Sequence, residues 1–87
     1  MYYVYVLQDQ IKGGLYIGFS SNLKSRIAAH AKKQVTSTKN GDYRLIYYEA
    51  YLVKLDVLGR EKFLKGGSGR KYINKQLAHY FATLAQG

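Results

Sequence analysis

The sequence contains no cysteine, proline or tryptophan. Without cysteine the chain has no disulfide, no thiol nucleophile and no zinc site that needs thiolate ligands, and the absence suits a reducing compartment. Carboxylates are also scarce: five Asp and Glu against fourteen Lys and Arg. No D-x-D or E-x-K array appears, so a two-metal centre is a poorer expectation than one ion supported by arginine and neutral groups. No run approaches the roughly 20 apolar residues of a membrane span, and Met1-Tyr2-Tyr3-Val4-Tyr5 lacks the basic flank of a signal peptide. The expectation is a soluble, cytoplasmic protein with no membrane partner. The phosphate-binding patterns G-x-x-x-x-G-K-S/T and G-x-G-x-x-G are missing, as are internal repeats, heptads and linkers.

What is present is a formal charge of +9 spread over 87 residues, 47% of which are hydrophobic. That balance folds, and the charge favours a polyanion partner without supplying sequence specificity. The length suits a single domain over residues 1–87, with no room for a separate target-recognition module. Ten tyrosines are too many to assign by type; most should pack, and a few exposed rings suit stacking on unpaired bases.

Two β-rich runs, Tyr3–Leu7 and Leu15–Phe19, flank the turn residues Lys12-Gly13-Gly14 and predict a hairpin. Asn22 caps a helix expected over Leu23–Val35, with Leu23, Ile27, Ala31 and Gln34 or Val35 as its apolar stripe. Tyr43–Tyr51 reads as a third strand, apolar on both faces and therefore expected at the sheet centre. A second helix is expected over Val53–Lys65. Gly66-Gly67-Ser68-Gly69 stops it, and Ile73, Leu77, Tyr80 or Phe81, and Leu84 mark a third.

Tyr5, Tyr16, Arg26, His30 and Glu61 form the strongest chemical constellation. Phosphodiester hydrolysis needs a positioned water, a proton acceptor and relief of charge on the phosphoryl oxygens. Arg26 and His30, four residues apart, share a helix face offset from the apolar stripe. Arg26 suits two phosphate oxygens at once, and His30 titrates near neutrality. A free phenol near pKa 10 is a weak base unless a neighbour lowers it, so Tyr5 and Tyr16 are chemistry or packing. Glu61 suits either a hard divalent ion or an ion pair with Lys65 or Arg26. Gly66-Gly67-Ser68-Gly69-Arg70-Lys71 is either a plain interhelical turn or a phosphate contact through Ser68 and backbone N–H groups. Lys62, Lys65, Arg70, Lys71 and Lys75 extend a candidate DNA-binding footprint, and Lys24, Lys32 and Lys33 do so beside the first helix.

In order, Tyr3-Val4-Tyr5, Tyr16-Ile17-Gly18, Asn22-Leu23 leading to Arg26 and His30, Glu61, and Gly66–Arg70 resemble the GIY-YIG nuclease family, particularly its short solo-domain members. The likeness spans nearly the whole chain. Its main departure is Tyr3, standing where the first motif has glycine, a side chain placed to narrow the cleft. The resemblance implies a small α/β domain, a three-stranded antiparallel sheet flanked by about three helices in the order β-β-α-β-α-α. It implies that Tyr5 and Tyr16 are the phenolic pair, that Arg26 stabilises phosphate, that His30 assists the hydrogen-bond network, and that Glu61 binds Mg²⁺ or Mn²⁺. Gly18 and Asn74 would support the site. The implied reaction is metal-assisted attack of water on a DNA phosphodiester, with Tyr5 activating water through Tyr16 or His30. Family analogy further suggests branched, nicked or flapped DNA, RNA remaining open, in repair, recombination or mobile-element maintenance. Two other functions fit the composition: a non-catalytic basic DNA- or RNA-binding module, and a structural protein that binds another protein.

Overall fold

The computed structural model describes residues 1–86. Strand β1 (Tyr2–Asp9) turns through Gly13, at φ 81°, into β2 (Leu15–Ser20). Helix α1 (Leu23–Ala31) follows, then β3 (Tyr43–Tyr51), α2 (Lys54–Lys65), α3 (Gly67–Gln76) and α4 (Ala78–Gln86). The three antiparallel strands lie in the order β2-β1-β3. This is the expected α/β architecture, with the last helical stretch divided in two. Among the described residues no helix is long and apolar enough to cross a membrane.

The central strand is β1, not β3 as the apolar pattern suggested. Every residue from Val4 to Asp9 is buried, whereas β3 holds only half-buried and exposed positions and none that is fully buried. The Tyr3–Leu7 run was equally apolar on both faces, and pairing on both sides is what that pattern reflects.

The two sheet faces have different jobs. Val4 and Val6 point to one face and pack with Val57 and Leu64 of α2 and Ile73 of α3, joined by Ile17, Phe19, Tyr47 and Phe81. On the same side Glu49 accepts hydrogen bonds from Tyr51 Oη (2.7 Å) and from Arg60 Nε and Nη2 (2.8 and 3.0 Å). The Arg60 guanidinium in turn lies over the Tyr72 ring, 4.2 Å from its centroid. This network ties the edge strand to α2 and α3. The opposite face carries Tyr3, Tyr5 and Leu7 of β1 and is covered by α1.

Helix α1 is shorter than the expected Leu23–Val35. Asn22 does cap it, its side-chain oxygen accepting from Ser25 N at 3.1 Å. The helix ends because Lys33 adopts the left-handed conformation (φ 63°), with Lys33 N and Gln34 N bonding back to His30 and Ala29 carbonyls. Its stripe also differs: Leu23 and Ile27 are half-buried, Ala31 is exposed, and His30 is the residue of α1 that is buried.

Gly66 ends α2 and directly caps α3, so the glycine segment is mostly helix rather than loop. Gly69 is required by close approach: a Cβ there would lie 2.3 Å from Leu64 O and 2.4 Å from Leu64 Cα. The expected single third helix breaks at Leu77 (φ −108°, ψ 28°). No glycine or proline marks the break. Contacts beyond it, with Tyr80 Oη donating to Gln8 Oε1 at 2.6 Å and Phe81 joining the core, redirect the chain into α4.

Candidate active site

On the α1 side of the sheet, the residues that pair directly across the strands share a face. Tyr5 lies opposite Gly18 of β2 and Tyr48 of β3, and Leu7 lies opposite Tyr16. Gly18 leaves a gap over which the Tyr5 ring lies, and a Cβ at that position would come within 2.4 Å of both Cζ and Oη of Tyr5. The phenol crosses its neighbour strand and reaches α1.

There Tyr5 Oη meets His30 Nε2 at 2.9 Å and accepts from Arg26 Nε at 3.4 Å. The far side of the imidazole is held too: His30 Nδ1 lies 2.7 Å from Oγ1 of the buried Thr38. Arginine can only donate, and in the tautomer whose Nδ1 proton faces Thr38 Oγ1, His30 Nε2 is the acceptor for the phenolic proton. Tyr16 completes the cluster. Its ring centroid is 5.1 Å from that of His30 and 6.3 Å from that of Tyr5. Tyr5 is fully buried, Tyr16 half-buried and Arg26 exposed, so the cluster opens to solvent along Arg26 and Tyr16.

Electrostatics favour the neutral forms of the inner two groups. Burial raises the Tyr5 pKa above its ordinary value, partly offset by the Arg26 hydrogen bond, with Tyr16 and Glu61 adding to the rise. Burial and then the Arg26 charge lower that of His30. The Tyr5 hydrogen bond raises the Arg26 pKa, which keeps a fixed cation at the opening. An unassisted Tyr5 phenolate is therefore disfavoured, and a neutral His30 is available to accept its proton.

Glu61 on α2 makes no hydrogen bond to the cluster among the described residues, and its charge is the smallest of the influences on the Tyr5 phenol. Its carboxylate is one-fifth exposed, and Oε2 pairs with the exposed Lys65 Nζ at 3.2 Å. Of the two ion pairs weighed from sequence, the one with Lys65 is formed. Among the described residues no three His, Asp or Glu side chains gather into a metal-binding cluster. The donor set available to an ion is thus the one Glu61 carboxylate, one-fifth exposed and paired with Lys65. That fits Mg²⁺, which keeps several waters and uses one or two carboxylates.

Beside Tyr16 a cleft of about 490 Å³ runs to the α2–α3 junction, lined by Ser37, Lys65, Gly66 and Arg70. Lys65 and Arg70 therefore flank the cluster, and Lys62, Ser68, Lys71 and Lys75 are exposed on the same pair of helices. Lys24 and Lys32 are exposed on α1, while Lys33 donates through Nζ to the Gly41 carbonyl. Asn74 is exposed on α3 and makes no hydrogen bond to the cluster among the described residues.

Thr38 went unnoticed in the sequence because it sits in a polar stretch, Thr36–Asp42, that reads as a turn. The fold buries it to 2% exposure against the imidazole. No local signal marks it, since its partner is the end of a helix eight residues earlier.

A family model described as the GIY-YIG catalytic domain matches residues 1–75. No curated protein and no solved structure gives a match. The matched span contains both phenols, Arg26, His30, Thr38 and Glu61; β1, β2, α1 and the turn after α1 bring the first five together, and α2 carries Glu61. The chain belongs to the GIY-YIG catalytic domain family, and that membership supports a nuclease-type function acting on nucleic acid.

Proposed function

We propose that the protein is a divalent-metal-dependent endonuclease that hydrolyses DNA phosphodiester bonds, selecting its target by DNA structure or through a partner. The observation that carries this reading is the hydrogen-bonded chain from Arg26 through Tyr5 and His30 to Thr38, open at its cationic end.

In this proposal the exposed Arg26 holds a backbone phosphate and opposes the negative charge that grows on its oxygens. With Arg26 turned from Tyr5 Oη to the phosphate, a water reaching that otherwise buried oxygen attacks phosphorus. The bond from phosphorus to the leaving ester oxygen breaks, and the leaving oxygen takes up a proton from solvent. As the water's O–H bond breaks, the proton passes to Tyr5 Oη while the original phenolic proton moves to His30 Nε2. The relay avoids a free phenolate, which burial disfavours, and Thr38 keeps the imidazole turned with Nε2 toward Tyr5. Tyr16 lines the phosphate's approach beside Arg26. Glu61 is the residue that would hold Mg²⁺ or Mn²⁺. The chemistry such an ion supplies when bound is Lewis-acid relief of charge at the phosphoryl and leaving oxygens. Lys65 and Arg70, beside Tyr16, would carry flanking phosphates, and the other exposed basic side chains extend that surface.

A panel of linear, nicked, flapped and branched DNA with Mg²⁺ or Mn²⁺ tests the proposal. Wild-type protein is expected to cleave at least one substrate. Arg26→Ala and Glu61→Ala are expected to lose cleavage while keeping their fold and most of their DNA affinity. Undiminished cleavage by both variants would remove the proposed site. Salt-sensitive binding with no turnover on any substrate would leave a binding module instead.

A further inference from the structure

A second concavity lies on the same sheet face as the Tyr5 cluster. It is a groove of about 490 Å³ between α1 and the β1–β3 edge, walled by Leu23 and Ile27 of α1, Tyr3, Leu45 and Tyr48, with Lys24 at its lip. Tyr48 is the direct cross-strand neighbour of Tyr5, and Tyr3 precedes Tyr5 by two residues on the same face. The two wall tyrosines meet edge to face, with centroids 6.1 Å apart and planes at 63°. Tyr48 is 52% exposed. Tyr3 and Tyr48 together make the aromatic wall of the groove.

We propose that this groove receives an unstacked nucleobase from the strand whose phosphate sits at Arg26. The inference rests on the nuclease reading for the position of that phosphate, and it names the substrate class: nucleic acid with an unpaired base next to the scissile bond. Three observations select this occupant over a protein segment. The walls are flat aromatic and branched aliphatic groups, which accept any base by its π-face. No carboxylate lines the groove, while Lys24 and the neighbouring Arg26 supply positive charge where the sugar-phosphate chain would enter and leave. The groove and the phosphate site are also built on the same two elements, with Tyr3 of β1 and Leu23 of α1 in the groove and Tyr5 of β1 and Arg26 of α1 at the site. A base inside an intact duplex must first leave its stack, whereas a base at a flap, nick or branch is already free. Structure selectivity then needs no second domain.

Binding of the whole chain to two single-stranded oligonucleotides of equal length tests this, one carrying thymine and one abasic throughout, measured without divalent metal so that no cleavage intervenes. Charge is matched, so any difference comes from the bases. Wild-type protein is expected to prefer the thymine strand by about tenfold, the scale of one base stacked on an aromatic ring. Tyr48→Ala is expected to bind both strands at the abasic level with the same salt dependence, and Tyr48→Phe to retain the preference. Equal wild-type affinity for the two strands would overturn the proposal without any variant. So would an undiminished preference in Tyr48→Ala, or a Tyr48→Ala chain that changes its sedimentation while wild type shows no base preference, which would assign the groove to a second copy. Cleavage without base preference would sink the groove alone, and base preference without cleavage on any substrate would sink the nuclease reading alone.

Discussion

Replacing Gly18 with alanine is the sharpest test of how the sheet builds the site. The added Cβ would lie 2.4 Å from both Cζ and Oη of Tyr5 and 2.9 Å from Cε2. Ordinary carbon contacts begin near 3.5 Å, so the ring must retreat by about 1 Å. A flexible surface side chain would swing aside at little cost. Tyr5 is fully buried, has only two side-chain torsions and is held by His30 and Arg26 at its tip. The retreat therefore stretches the 2.9 Å contact to His30 or twists β1 against β2. Overpacking of this kind costs about 1–3 kcal/mol of stability, and a 1 Å misplacement of a reacting group costs about 100-fold in rate. Urea denaturation reads the first number and single-turnover cleavage the second. The Tyr5→Phe background separates the causes: it removes Oη but keeps Cζ, so the alanine should cost less stability there than in wild type. A Gly18→Ala protein with unaltered stability and cleavage would refute the claim that this glycine exists to admit the phenol.

The same reasoning gives further expectations. At Gly69 the obstacle is the α2 backbone, which cannot swing away, so Gly69→Ala should lose about 3 kcal/mol, the upper end for overpacking, by denaturant titration and loosen the α2–α3 junction. Thr38→Val removes the partner of His30 Nδ1 and should slow cleavage about tenfold, the value of one hydrogen bond of about 1.4 kcal/mol, while Thr38→Ser restores it; equal rates in all three proteins would deny the relay its anchor. Glu49→Gln leaves the Arg60 guanidinium without its counter-charge, and because both side chains are partly exposed the expected loss is about 1–2 kcal/mol by urea denaturation rather than the larger cost of a fully buried pair. Burial, then Arg26, lowers the His30 pKa below 6.5, so the folded state resists protonation: its contribution is intact above pH 6.5 and is lost as pH falls below that value. Stability measured from pH 7.5 to 5 should therefore decline in wild type and stay flatter in His30→Gln. The losses from Glu49 and Asp9 come later. Both have pKa values below their ordinary 4.5 and 3.8: for Glu49 burial alone would raise it but the Arg60, Tyr47 and Tyr51 hydrogen bonds prevail, and for Asp9 the Ile11 N–H leads.

The element order was legible because each element has a local signature: β-branched and aromatic runs around Gly13-Gly14, an Asn22 cap, an apolar spacing around Val57 and Leu64. What the residues could not declare was partnership. Both β1 and β3 carry bulky groups on alternate faces, and only pairing on both sides distinguishes the centre from the edge. Helix α1 stops at Ala31 through a lysine in a conformation that ordinarily calls for glycine. The α3–α4 break at Leu77 answers to contacts of Tyr80 and Phe81 rather than to any breaker. Gly66–Gly69 reads as loop by composition, yet Gly69 sits inside α3 because nothing larger fits against Leu64.

The cluster residues were legible for a different reason. Their types suit phosphodiester chemistry, Arg26 and His30 share one helix face by spacing, and their order resembles a family's motifs; the structure adds that their polar atoms answer one another: phenol to imidazole, imidazole to hydroxyl, guanidinium to phenol. Polar side chains taken from water must all find partners, and among the described residues no buried side-chain nitrogen or oxygen lacks one. The face under α1 therefore gives up part of an apolar core in exchange for a wired set of groups, which is why α1 buries His30 instead of its apolar stripe. A domain of this size has one other face on which to collect its stability, and it does so with Val4, Val6, Val57, Leu64 and Ile73. Central placement of β1 is what allows both: the same strand sends Val4 and Val6 into the core and Tyr5 into the site, so stability and chemistry are carried by alternate residues of one segment. Any change that slides β1 by one residue would exchange the two sets and abolish both at once.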